Sequence, residues 1–216
     1  MVQGRGYQFH LSCGNPVFKD VEGRTQKFEK IISVLRNFHS GGQSVYCLDI
    51  GCSNGIITSS LADYFAITIP IDIDQEAIQY AESQYSSPHV HFLFGDAMPI
   101  PFKENSIDIV VCNHIYEHVP QVERLMVETR ILREEGCCYF SAGNKYVLIE
   151  RHYQLPFLSW IPKSIAHFYI RLVGKGDFYH EEHRSLRGLR QLVKRFQIHD
   201  FTIPIIQNPQ NFLQPI

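Results

Sequence analysis

The 216-residue sequence lacks several features that would assign it to other classes of protein. It has no run near the roughly 20 apolar residues of a membrane-spanning helix, and its first ten residues contain no apolar signal-peptide region. Its six cysteines show no CxxC spacing, and we find no internal repeat. The sequence therefore predicts a reduced, cytoplasmic protein, long enough for one α/β domain with its own core.

Charge is unevenly distributed along the sequence. Residues 45–143 carry four Lys or Arg against fourteen Asp or Glu, whereas the flanks 1–44 and 144–216 together carry sixteen cations and eight acids. The acidic middle suits a cationic ligand. The basic flanks suit an anionic partner or, more simply, a solvated helix face.

One stretch, VYCLDIGCSNG at Val45–Gly55, organises the rest of the sequence. A short apolar run ends in Asp49, and two glycines four residues apart, Gly51 and Gly55, precede the helical pattern that begins at Ile56. This order predicts a buried strand that turns directly into a helix. The first N–H groups of that helix would face a ligand lying against bare glycine backbone.

Strands and helices alternate along the chain, and each strand is a nearly continuous apolar run. That pattern is typical of a parallel sheet covered on both faces. The predicted fold class is therefore α/β, a Rossmann-like doubly wound and mostly parallel sheet. We expect helices at 25–38, 56–64, 75–85 and 121–132, and strands at 45–50, 66–73, 90–94, 107–112 and 137–141.

Polar side chains end four of these strands, at Asp49, Asp72, Asp96 and Asn113. Ligands of doubly wound sheets bind beyond the carboxyl ends of the strands. Asp72 lies 23 residues after Asp49, close to the offset at which an acid bonds ribose hydroxyls. The glycine spacing is GxxxG and not the GxGxxG of dinucleotide sites, and Asp49 would repel a phosphate. The pattern favours S-adenosylmethionine, which carries a sulfonium and an ammonium instead.

Four stretches in order, LDIGCSNG, IDIDQEAI, FGDAMPIPFKENSIDIVVCNHIYEHV and ETRILREEG, resemble class I S-adenosylmethionine-dependent methyltransferases of the methyltransferase type 11 group. The resemblance covers Val45 to Ser141, and it departs from the group at Ser53 and Pro70, where glycine is frequent. It implies S-adenosyl-L-methionine as the cofactor. The implied binding residues are Asp49, Gly51, Cys52, Ser53 and Gly55 at the methionine end, Asp72 and Ile73 at the ribose, Asp96 and Ala97 at the adenine, and Asn113 near the sulfonium.

Methyl transfer often needs a proton acceptor above the methyl group, near the end of the fourth strand. The run NHIYEHV supplies His114, Glu117 and His118 there as catalytic candidates, although Glu117 and His118 can also serve as cap or loop residues. The run matches the HxxEH motif of zinc peptidases, but that motif needs both histidines on a helix, and His114 directly follows a strand.

A metal ion is the other alternative at this place. Some ubiquinone-pathway O-methyltransferases have an ExxEH run there that binds a divalent metal. Because His114 replaces the first acid of that run, we predict no metal in this chain.

Residues 144–183 form a long insertion that is rich in aromatic residues and contains a predicted helix at 162–173. It has three interpretations: a substrate lid, a peripheral membrane contact through 151–175, or packing that completes the core. If it is a lid, Glu150, His152 and Tyr153 are best placed to face the substrate. Downstream, we expect an amphipathic helix at 185–196, whose buried stripe is Leu186, Leu189, Val193 and Phe196, and a sixth strand at 197–203.

The predicted organisation is one methyltransferase domain over residues 1–216. It comprises an N-terminal helical segment (1–44), a cofactor-binding core (45–143), a substrate lid (144–183) and a C-terminal helix and strand (184–216). The expected acceptor is a small molecule, a glycan or a lipid-linked intermediate, methylated at oxygen.

Two alternatives stay open at this point: an RNA or protein methyltransferase, and a non-catalytic S-adenosylmethionine-binding partner subunit. NHIY lacks the prolines of the NPPY run of nucleic-acid adenine methyltransferases, so no DNA partner is expected. The sequence does not predict the oligomeric state.

Overall fold

The computed structural model describes residues 20–39 and 42–213. The predictions that concern residues 1–19, Cys13 among them, and residues 214–216 lie outside this part of the chain. The five described cysteines carry free thiols. Cys47, Cys52 and Cys112 are buried, and Cys137 and Cys138 are half-buried.

Five strands form one parallel sheet in the order β3-β2-β1-β4-β5. The chain runs outward from β1 to β3 and then returns to pair β4 with the other side of β1. The strand order therefore reverses between β1 and β4, which is where doubly wound sheets bind ligands. This topology confirms the predicted fold class. The strands are β1 (Gly42–Ile50), β2 (Phe65–Asp72), β3 (Leu93–Phe94), β4 (Ile107–Asn113) and β5 (Leu132–Ser141).

Helices cover both faces of the sheet. On one face lie α1 (Val21–Leu35) and α2 (Ile56–Tyr64), which pack Ile31 and Leu61 against Cys47 and Val111. The opposite face is covered by α4 (Val122–Glu128), whose Leu125 packs against Leu48 and Val110. Successive residues of β1 point to opposite faces, so Cys47 and Leu48 belong to different cores. The remaining helix of this part, α3, spans Gln75–Tyr85, as predicted.

Several element boundaries differ from the prediction, among them the starts of α1 and β5. Helix α1 begins at Val21, four residues before the expected start, because the Asp20 side chain accepts a hydrogen bond of 2.9 Å from the N–H of Gly23. Strand β5 begins at Leu132, five residues early. Helix α4 ends at Glu128, and a 3-10 turn, Thr129–Ile131, leads directly into that strand.

The prediction for the C-terminal part was wrong in one respect. Residues 197–201 form no strand, and a short helix, α7 (Thr202–Gln207), follows them. Thr202 and Ile203, the last residues of the expected strand, begin this helix instead, and Pro204 fits its first turn. Within the described residues the main sheet therefore ends at β5. Helix α6 (Leu186–Leu192) is shorter than expected; it buries no residue, and Leu186 is 48% exposed. Val193 and Phe196, beyond its end, pack partly buried against the core.

The insertion between β5 and α6 has a small core of its own. An antiparallel pair, β6 (Ile149–Glu150) and β7 (Leu155–Pro156), is followed by a 3-10 turn, Leu158–Trp160, and by α5 (Lys163–Leu172). The predicted helix at 162–173 is confirmed within one residue at each end. Of the helices in the described ranges, none has the length and apolar character to cross a membrane. The small core consists of Leu155, Leu158, Ala166, Ile170 and Tyr179.

Candidate active site

A cavity of about 500 Å³ lies beyond the carboxyl ends of the strands, at the reversal of strand order. Seven of the ten predicted cofactor residues line it: Gly51, Ser53, Asp72, Ile73, Asp96, Ala97 and Asn113. The other three, Asp49, Cys52 and Gly55, do not line the cavity. The sheet thus brings together side chains from the ends of β1, β2, β3 and β4.

The loop after β1 has a backbone that requires glycine at its two ends. Gly51 has φ +73° and Gly55 has φ +79°, both in the left-handed region. A Cβ built on Gly51 would overlap the side chain of Ile115, and one on Gly55 would lie 2.8 Å from the Cβ of Ala81. The loop therefore lies close to the β4 side of the cavity, while Gly55 lets α2 pack against α3.

Asp72 joins this loop to the end of β2. Its Oδ2 accepts a hydrogen bond of 2.7 Å from the N–H of Ser53, and its Oδ1 accepts one of 2.9 Å from the N–H of Asp74. Burial raises the pKa of Asp72, and these backbone bonds oppose the rise. Each carboxylate oxygen can accept a further bond. A partly buried acid that faces the cavity in this way fits the two hydroxyls of a ribose.

Asp49 lies beneath the loop and not in the cavity wall. It is 4% exposed, and its Oδ2 accepts a hydrogen bond of 2.6 Å from the Thr58 hydroxyl. Burial raises the pKa of Asp49 to about 6, opposed by the Thr58 bond and by the charge of Arg24. The carboxylate is thus ionised at neutral pH and places a negative charge behind the glycine loop.

Helix α1 adds two cations to the cavity that the sequence interpretation did not include. Arg24 and Lys27 both line it. Burial lowers the pKa of each; the charges of Asp49 and Asp20 oppose this for Arg24, whereas Arg24 and Arg151 lower the pKa of Lys27 further. The three-residue spacing puts both side chains on one helix face. The sequence interpretation did not use this spacing, because the predicted helix began after Arg24.

The three predicted catalytic residues form a polar wall of the cavity. His114 has φ +57°, and its Nδ1 lies 3.4 Å from Oε1 of Glu117 while its Nε2 lies 3.2 Å from Oγ of Ser141. Glu117 is 2% exposed and belongs to a 3-10 turn, Tyr116–His118. Burial alone would raise the pKa of Glu117, but the hydrogen bond and charge of His114 and the charge of His118 hold it below its usual value.

His118 faces the insertion. Its Nδ1 lies 3.9 Å from Oε1 of Glu181, and its ring centroid lies 4.8 Å from that of His152. Burial lowers the pKa of His118, opposed by the charges of Glu117 and Glu181. The lowered pKa favours the neutral imidazole, which is the form that accepts a proton.

Glu117, His118 and His152 also place one carboxylate oxygen and two imidazole nitrogens within 4.8 Å of one another. These are atom types that divalent metals accept as ligands. The absence of a metal ion at this wall stays a prediction.

The insertion residues expected to face a substrate behave differently from one another. Glu150 lines the cavity but is 1% exposed; its Oε2 accepts bonds from the N–H groups of His152 and Tyr153, at 2.9 and 2.8 Å. Its Oε1 lies 3.4 Å from Nε2 of His183, whose side chain is 6% exposed and which the sequence interpretation did not include. Among these side chains His152 is exposed and lines the cavity, whereas the Tyr153 hydroxyl donates to the carbonyl of Phe178.

The fold, the strand-end acids and the glycine loop define a class of protein. Residues 48–140 match the family described as "Methyltransferase domain". Residues 48–140 therefore carry a domain of that family, and their resemblance to class I S-adenosylmethionine-dependent methyltransferases of the type 11 group implies S-adenosylmethionine as the cofactor. The residues present fit that cofactor, since a cavity-facing acid lies at the ribose position and a bare glycine backbone leaves room beside it.

Two curated proteins are similar to parts of this chain. The chain is 32% identical over 104 residues to the biotin biosynthesis bifunctional protein BioHC of Cellvibrio japonicus, which is 48% of this chain and 20% of that protein. It is 25% identical over 193 residues to the ubiquinone biosynthesis O-methyltransferase of Rickettsia canadensis, which is 83% of this chain and 76% of that enzyme. Thus the match spans only a fifth of the first relative.

A solved structure shows the same fold. Phosphoethanolamine N-methyltransferase 1 of Haemonchus contortus, in complex with phosphoethanolamine and S-adenosylhomocysteine, superposes with a TM-score of 0.63. The sequence identity is 15%, and the match covers 88% of this chain and 38% of that one.

Proposed function

We propose that the protein transfers the methyl group of S-adenosylmethionine to an oxygen atom of a small-molecule, glycan or lipid-linked acceptor. The observation that carries this proposal is the convergence of two groups of residues on one cavity. Asp72, Asp96 and Asn113 come from three strand ends, and His114, Glu117 and His118 form the adjoining wall. A chain that only bound the cofactor would have no use for that second group.

The cofactor roles follow from the positions of these residues. Asp72 would accept hydrogen bonds from the ribose, Asp96 with Ala97 would contact the adenine, and the Gly51–Gly55 loop with Asn113 would border the methionine end. Arg24 lines the cavity near Asp49 and would attract the carboxylate of the methionine moiety, while the Asp49 charge favours its cationic groups.

When bound, S-adenosylmethionine supplies a methyl group that its sulfonium has already activated. The chain therefore needs only to position an acceptor, exclude water and accept a proton. We propose His118 as the proton acceptor, because it lines the cavity and its lowered pKa favours the neutral imidazole. Glu181 would stabilise the imidazolium that forms, as a carboxylate behind a histidine does in other enzymes.

Residues 144–183 would act as the substrate lid over this site. Val147, Arg151 and His152 from this segment line the cavity. Glu150 and His183 pair within the segment, and Glu181 contacts His118 of the core at 3.9 Å. Peripheral membrane contact through 151–175 would bring a lipid-linked acceptor to the same cavity.

Support for oxygen as the methylated atom comes from the ubiquinone biosynthesis O-methyltransferases to which the chain is similar. An assay with tritium-labelled S-adenosylmethionine would compare phenolic acceptors with matched amines and with RNA. We expect label on the phenols. Label on RNA or on protein would replace the proposed acceptor, and no label on any acceptor despite tight cofactor binding would favour a partner subunit without turnover.

A further inference from the structure

Helix α5 is apolar on two sides, and only one of them is covered. Ala166 and Ile170 face inward and are fully buried in the small core of the insertion. Ile165, Phe168 and Leu172 are spaced by three and four residues, so they share another face of the helix. They are 54%, 62% and 71% exposed. This outward stripe has no packing role in the described part of the chain.

Aromatic side chains are exposed just before α5. Trp160 is 42% exposed and Phe157 is 50% exposed, with ring centroids 5.3 Å apart. Trp160 also contacts the exposed Tyr146 at 5.5 Å, and its indole N–H donates to the carbonyl of Val147 at 2.8 Å. Exposed tryptophan and tyrosine with a satisfied polar group are enriched where proteins meet the headgroup region of a bilayer.

Exposed cations outnumber exposed acids in this segment. Residues 145–183 carry five cations, Lys145, Arg151, Lys163, Arg171 and Lys175, and four acids, of which Glu150 and Glu181 are buried. The two exposed acids are Asp177 and Glu182, and Glu182 lies 3.9 Å from Lys163. An exposed apolar stripe among cations complements an anionic surface. Two copies of this face would repel each other, because a two-fold interface would place the same cations opposite one another.

We infer that this face binds an anionic phospholipid bilayer. The docking surface consists of Tyr146, Phe157, Trp160, Ile165, Phe168 and Leu172, with Lys163, Arg171 and Lys175 for the lipid headgroups. The same segment lines the cavity through Val147, Arg151 and Gln154. Bilayer contact would therefore hold the cavity close to a lipid-linked acceptor; this last step rests on the proposed function, whereas bilayer binding does not.

Vesicle flotation tests the inference with the full chain. Vesicles of phosphatidylcholine alone are compared with vesicles of equal parts phosphatidylcholine and phosphatidylglycerol. We expect the protein to float with the anionic vesicles, and more weakly with the neutral ones or at high salt. Phe168→Asp combined with Ile165→Asp should lower the bound fraction at least about tenfold. The matched control is Tyr80→Asp on α3, since Tyr80 is also an exposed aromatic, at 53%, and this variant should float normally.

Calorimetry with S-adenosylmethionine checks that the variants fold, because neither α5 residue lines the cavity. No flotation of the wild type with either vesicle would overturn the inference, as would unchanged flotation of the double variant. A concentration-dependent dimer that the double variant abolishes, without flotation, would assign the face to a second copy. A protein that floats normally but transfers no methyl group would reject the proposed function and leave the bilayer contact in place.

Discussion

The Asp72 carboxylate accepts a 2.7 Å hydrogen bond from the backbone N–H of Ser53. The residue proposed to hold the ribose therefore also holds the glycine loop proposed to border the methionine end. Any change at Asp72 should affect both parts of the cofactor site together, because the two strand ends share this one bond.

Asp72→Ala should weaken S-adenosylmethionine binding at least about thirtyfold, since hydrogen bonds to a charged group contribute about 1.5 to 3 kcal/mol each. Isothermal titration calorimetry measures the effect. Asp63→Ala on α2 is the control, because Asp63 is an exposed acid outside the cavity. An affinity within twofold of the wild type would reject the ribose role of Asp72.

Gly51→Ala and Gly174→Ala form a matched pair. Both glycines have positive φ, +73° and +69°, but a Cβ on Gly51 would overlap Ile115, whereas one on Gly174 would meet nothing within 4 Å. Gly174→Ala should cost about 1 kcal/mol of unfolding free energy from backbone strain alone. Gly51→Ala should cost about 2 to 4 kcal/mol, because overpacking is added. Urea denaturation measures both values, and equal losses would contradict the close approach of Ile115.

The buried Asp49 predicts a pH dependence of stability. Its pKa is about 6 in the folded protein against an ordinary value of 3.8, so the folded state holds this proton more tightly than the unfolded state. The contribution of Asp49 to the unfolding free energy should fall by about 3 kcal/mol as pH rises from about 4 to about 6, and stay level above that.

Asp49→Asn isolates this effect, because asparagine does not titrate. Urea denaturation without cofactor measures the unfolding free energy of both proteins. As the pH rises over that window, the wild type should become less stable relative to Asp49→Asn. A difference that does not change with pH would show that Asp49 titrates as an ordinary acid.

His118→Ala should lower the rate of methyl transfer about a hundredfold or more while leaving cofactor affinity nearly unchanged, because a general base acts on the transition state. The control is His91→Ala, since His91 is exposed and does not line the cavity. Single-turnover kinetics with a labelled cofactor separates the two effects. An unaffected rate would remove His118 from the mechanism.

The same assay tests the prediction that no metal takes part. Chelation with EDTA should leave the wild-type rate unchanged. A rate that EDTA abolishes and a divalent cation restores would instead give Glu117, His118 and His152 a metal-binding role.

Most of the central fold was predictable from sequence because its signals are local. Apolar runs at β1 and β4 and the helical period of α3 indicated those elements within one to three residues at each end. The start of α1 was missed, since the residue that caps this helix is Asp20. The C-terminal strand was wrong, since its last two expected residues, Thr202 and Ile203, begin α7, whose first turn accommodates Pro204.

Most of the cofactor-binding residues could also be predicted from the sequence. They lie at or just after the ends of strands, and parallel strands end at one edge of the sheet. Asp49 shows the limit of that reasoning. It ends β1 like the others but points into the core, and its burial and its bond to Thr58 depend on where α2 lies. Spacing along the chain does not report that position.

The sequence by itself determined the class of the protein, because the glycine spacing, the strand-end acids and the alternating elements are properties of short segments. Only the tertiary structure decided which distant residues meet the cavity. Arg24 arrives from α1, and His152 and His183 arrive from the insertion, with His183 held beside Glu150. These contacts join residues far apart in the chain, and they form only when burial of the apolar faces brings the segments together.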